Sequence, residues 1–63
     1  MTISVIVNNY MLGAKVKSTP VDKIVVSERI DSKHVKITYS GISDREAEFI
    51  GKVLQKKVTI EDK

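Results

Sequence analysis

His34 is the single histidine of this 63-residue chain and the side chain best suited to proton transfer near neutral pH. Acid–base or nucleophilic catalysis needs partners held around such a group in a pocket. No H-x-x-x-H pair, glycine-rich phosphate loop or G-x-S-x-G turn accompanies it. His34 therefore reads as an exposed polar residue beside a turn. The chain has no cysteine, which excludes disulfides and thiolate metal sites, and one imidazole does not make a histidine metal site. Asp44, Glu46 and Glu48 are explained as acids at the start of a helix. The expectation is a non-catalytic protein with no catalytic, cofactor-binding or metal-binding residues, and no cofactor.

The second chemistry on offer is phosphate neutralisation. Residues 1–42 hold six Lys and Arg against three acids, whereas residues 43–63 hold five of each, so the whole net charge of +3 sits in the first part. Lys15, Lys17, Lys23, Arg29, His34 and Lys36 fall on the polar face of the expected sheet and are the candidate nucleic-acid contacts. Single-stranded nucleic acid also calls for aromatic rings that stack on bases. Tyr10 and Tyr39 are expected to point inward and Phe49 lies on the helix, which weakens that reading. The competing view is that the lysines solubilise the sheet and blunt its edges.

The elements that must position these residues follow from pattern. "TISVIVN" (2–8) is β-branched and short, and reads as a strand with Ile3, Val5 and Val7 on one face. After Asn8-Asn9, "YMLGAKVK" (10–17) alternates again, with Tyr10, Leu12, Ala14 and Val16 on one side and Met11, Gly13, Lys15 and Lys17 on the other; residues 2–17 are read either as two strands or as one bent strand. "STPV" (18–21) connects, because proline lacks the donor of a central strand. "DKIVVSERID" (22–31) and "HVKITYS" (34–40) form the best hairpin, with Ile24, Val26 and Ile30 facing Val35, Ile37 and Tyr39 inward. Glu28 then falls on the inward side, which marks a sheet edge or a bulge.

A helix begins at Ser43, where Ser43 and Glu46 have the spacing of a capping box. At about 100° per residue, Ala47, Ile50, Gly51, Leu54 and Val58 share the core face, and Gly51 implies close approach of another backbone. Phe49 and Val53 form a second, narrower stripe. "VTI" (58–60) offers a short last strand or an extended tail.

The fold class expected is α+β: a small antiparallel sheet of three to five strands followed by one C-terminal helix packed on one face, all in a single domain, 1–63. A domain this small buries only ~60% of the surface its unfolded chain exposes, and without disulfide or metal the remaining stabiliser is a partner subunit. Hence a homo-oligomer, a dimer first, is expected with Phe49 and Val53 in its interface. The competing reading is that Phe49 closes the edge of its own core. No apolar run approaches the ~20 residues of a membrane span, so no membrane is expected as a partner and the cytoplasm is the expected compartment. The leading function is a small self-associating interaction module with a further protein partner; the alternative is an RNA or DNA binder. The short lysine-rich chain also fits a phage or mobile-element origin, an expectation carried by general character alone.

Overall fold

The computed structural model describes residues 1–61 as a four-stranded antiparallel sheet with one helix following its three long strands. Strands β1 (Ile3–Asn8), β2 (Ile24–Arg29), β3 (His34–Tyr39) and β4 (Thr59–Ile60) take the order β2-β3-β1-β4, and helix α1 spans Asp44–Leu54. The alternation expected for β1 and β3 holds. Ile3 pairs with Tyr39, Val5 with Ile37 and Val7 with Val35, so six buried side chains share one face of the two central strands. The helix covers that face with Ala47, Ile50 and Leu54, and Ile42 fills the corner before it. Ile42 is placed by a reciprocal pair of bonds: the Met1 amino group donates to its carbonyl at 2.7 Å and its N–H donates to the Met1 carbonyl at 2.9 Å.

The helix forms as its sequence dictates. The Ser43 hydroxyl accepts from the Glu46 N–H at 3.2 Å and the Glu46 carboxylate accepts from the Ser43 N–H at 3.1 Å, which completes the capping box. At the far end Gln55 turns left-handed (φ 54°) and the Lys56 N–H bonds back to the Gly51 carbonyl at 3.1 Å. This reversal explains Gly51. A methyl group there would lie 3.2 Å from the Lys56 carbonyl oxygen and 3.7 Å from a Val58 methyl. The close backbone is thus the chain's own return path, which delivers Thr59–Ile60 to the free edge of β1.

Residues 10–17 are not a strand. They form 3-10 turns at Asn9–Met11 and Val16–Ser18 with a turn around Gly13 between them, held by bonds such as Lys15 N–H to Met11 carbonyl at 3.0 Å. The alternation there was incidental, for two reasons. Met11, Leu12, Ala14 and Lys15 favour helical backbone over extended. Asn9 also donates its N–H to the Lys33 carbonyl and its side-chain amide to the Ser32 carbonyl, which ties the start of the run to the β2–β3 turn and not to the far edge of β1, where β4 pairs at Ile3 and Ser4. The consequence for side chains is large: Met11 and Val16 are buried together, and Tyr10, expected inward, stands 80% exposed.

Strand β2 also differs from its expected facing. It is the edge strand, and its bulge lies at Val25, between the pairs Ile24–Tyr39 and Val26–Thr38. One extra residue flips every side chain after it. Ile24 stays on the core side, Val26 and Glu28 turn to the outer face, and Ser27 and Arg29 share the core side with Ile37 and Val35. Glu28 is thereby placed opposite Lys36 instead of facing the interior, and Ile30 is exposed. The hairpin turn is four residues long, 30–33, and the Asp31 carboxylate ties it by accepting from the N–H groups of Lys33 (2.7 Å) and His34 (2.8 Å).

Candidate functional site

Three surfaces carry side chains that can act. The first is the second stripe of α1. Phe49 is 47% exposed and Val53 half-buried, on a helix whose core face is already filled by Ala47, Ile50 and Leu54. The phenyl ring is therefore not enclosed by the chain's own sheet.

The second is the set of basic residues, which the fold disperses. Lys15 and Lys17 lie in the 3-10 segment. Lys23 ends the turn Val21–Lys23 and reaches the helix start, where its ammonium bonds both Glu46 oxygens (2.7 and 2.9 Å) and the Gly41 carbonyl (3.2 Å). Arg29 sits on the helix side of the edge strand by register. His34 and Lys36 share the outer face of β3, each with an acid: His34 Nδ1 lies 3.0 Å from Asp31, and Lys36 Nζ 3.5 Å from Glu61, across β1. The ammonium of Lys23 beside Glu46, helped by the Ser43 N–H, holds that carboxyl below its ordinary range. Asp31 is likewise lowered, first by the Lys33 N–H and then by the His34 side chain. Only His34 and Lys36 of the six share the outer sheet face, and both are partly engaged.

The third surface was not visible in the sequence. Asn9 at the end of β1 donates its N–H to the Lys33 carbonyl (2.9 Å) and its side-chain amide to the Ser32 carbonyl (2.8 Å), which docks the hairpin turn beside Tyr10. The Asn8 amide donates to the Tyr10 hydroxyl at 3.1 Å. Tyr10 divides two shallow depressions, one lined by Asn9, Ser32 and Lys33, the other by Met11, Lys15, Leu54, Gln55 and Lys56. Its neighbours come from the 3-10 segment, the hairpin turn and the end of the helix, so no local spacing announces them.

Behind this surface the Thr19 hydroxyl donates to the Val16 carbonyl and lies 2.9 Å from the hydroxyl of fully buried Tyr39. Burial pushes the Tyr39 phenol up. Among the described residues no three His, Asp or Glu side chains converge as metal ligands, and no helix is long and apolar enough to cross a membrane.

The architecture is a small α+β fold, a four-stranded antiparallel sheet with one helix after its three long strands. The chain matches no protein-family model, no curated protein and no solved structure.

Proposed function

We propose that this chain is a small non-catalytic interaction module that acts through protein contacts and associates with itself as a dimer through Phe49 and Val53. One observation supports the reading: the chain's sole phenylalanine remains half in water on a helix whose core face is complete without it. Burying a Phe side chain contributes ~1.5–3 kcal/mol, so a surface that covers this ring stabilises a chain with a small core. A second copy supplies such a surface without any other gene product, and a further protein partner can use the same stripe. A cytoplasmic setting fits a cysteine-free chain.

Sedimentation equilibrium or light scattering at micromolar concentration tests the reading. The expected mass is that of a dimer, and Phe49→Asp is expected to give a monomer with unchanged circular dichroism. A wild-type monomer at that concentration refutes self-association through this stripe. If Phe49→Asp unfolds the chain instead, the ring belongs to its own core.

A second reading, RNA or DNA binding, is favoured by a different observation. The aromatic ring that stacking on a base requires, Tyr10, stands in solvent.

A further inference from the structure

Tyr10 is the most exposed of the large apolar and aromatic side chains, yet its ring is held in place by the Asn8 amide on its hydroxyl. Lys33 borders it on one side, and Lys15 and Lys56 on the other. No acidic side chain lines either depression, and among the described residues these three lysines form no ion pair. Two other lysines do have acidic partners, Lys23 in Glu46 and Lys36 in Glu61. The surface around Tyr10 is therefore cationic with a free aromatic face at its centre.

A complementary ligand must offer a flat π surface and negative charge on both sides of it. An acidic peptide supplies the charge but leaves the ring unused unless an aromatic residue interrupts its acids. Duplex nucleic acid supplies charge but keeps its bases stacked on one another. A single strand supplies both, because its bases are free to stack on a side chain while flanking phosphates meet cations.

We propose that Tyr10, with Lys15, Lys33 and Lys56 around it, forms a binding site for single-stranded nucleic acid. The ring stacks on one unpaired base and the lysines neutralise phosphates on either side. The site lies at one end of the sheet, not on its outer face. It rests on the nucleic-acid reading and is independent of association through Phe49.

Fluorescence anisotropy on the full chain tests it, with short labelled oligouridylate, oligothymidylate and a duplex as probes. Binding of single strands is expected at low salt, falling with a log–log salt slope of about −2 for three phosphate contacts. Tighter binding of one of the two single strands assigns RNA or DNA as the ligand. Tyr10→Ala is expected to weaken binding about tenfold, within the range for one stacked base, whereas Tyr10→Phe retains it. Lys33→Gln and Lys56→Gln each reduce the slope by about 0.7. Phe49→Asp leaves binding intact.

Binding that Tyr10→Ala leaves unchanged overturns this site while the broader nucleic-acid reading stands. No binding of either single strand at low salt overturns both. Duplex bound as tightly as single strand overturns the stacking role. Polyglutamate competing as well as an oligonucleotide overturns the proposal in favour of an acidic protein partner.

Discussion

Residues 9–23 and helix α1, joined through Lys23 and Glu46, are held in shape by opposite means. The helix carries its instructions within itself: a reciprocal cap, acids at its start, a lysine in its last turn and a core face at helical spacing. The 3-10 segment has only short turns, each closed by one or two backbone bonds. Its shape comes from what it is attached to. Met11 and Val16 are buried in the core, Thr19 is joined to Tyr39, and Lys23 is joined to Glu46. A helix of this kind survives small changes elsewhere, whereas the segment depends on a few distant anchors.

The largest expected effect tests the anchors directly. Met11→Ala should cost on the order of 2 kcal/mol or more in a urea unfolding titration, because a buried methionine leaves a cavity. The same truncation at its exposed neighbour Tyr10 should fall within about 0.5 kcal/mol. Equal costs at the two positions would mean that residues 10–17 do not pack as described.

A smaller effect is expected at the polar anchor. Thr19→Val leaves the buried Tyr39 hydroxyl without a partner and should cost ~1–3 kcal/mol. Adding Tyr39→Phe removes the stranded group as well, so the double variant should recover part of that loss. The cost should also appear as faster tryptic cleavage after Lys15 and Lys17, since the segment loosens before the sheet does. A double variant as unstable as the sum of the two single changes would show that the hydroxyls do not couple.

The same division decides what was legible. Strands β1 and β3, the start of α1 and the reason for Gly51 could be read because alternation, capping residues and helical spacing are local signals, whereas "VTI" left a short strand and an extended tail both open, and Thr59–Ile60 form the strand. Counting apolar residues against one helix face showed a second stripe with Phe49 and Val53, but left open whether Phe49 closes its own core or faces a partner. Tyr10 was assigned to the wrong side because an alternating run resembles a strand even where the chain folds into short 3-10 turns. The facing of β2 turned on one inserted residue at Val25; the inward Glu28 signalled an edge or a bulge, and β2 has both, but the pattern of "KIVVSER" does not say at which residue the insertion falls. The lysines around Tyr10 could not be grouped at all, since Lys15 and Lys56 come to one side of the ring and Lys33 to the other only in the folded chain.

The smallest effect lies where the two regions join. Glu46 belongs to the helix cap through Ser43 and to the 3-10 segment through Lys23. Its carboxyl is held below its ordinary value near 4.5, chiefly by the Lys23 ammonium. A depressed carboxylate contributes stability at pH above its unfolded value, and that contribution is lost as pH falls through the folded value. The unfolding midpoint should therefore begin to drop as the pH falls below the ordinary carboxylate range. Glu46→Gln keeps a side chain able to serve the cap but removes the charge, and it should flatten that part of the profile. Ser43→Ala removes the cap and should lower stability by about 1 kcal/mol at neutral pH while leaving the slope from Lys23 in place. Asp31 is lowered by its own turn, which neither variant touches, and should keep its share of the slope in both. If Glu46→Gln and Ser43→Ala change the profile alike, the ion pair contributes nothing beyond the cap, and the 3-10 segment is held by Met11, Val16 and Thr19 alone.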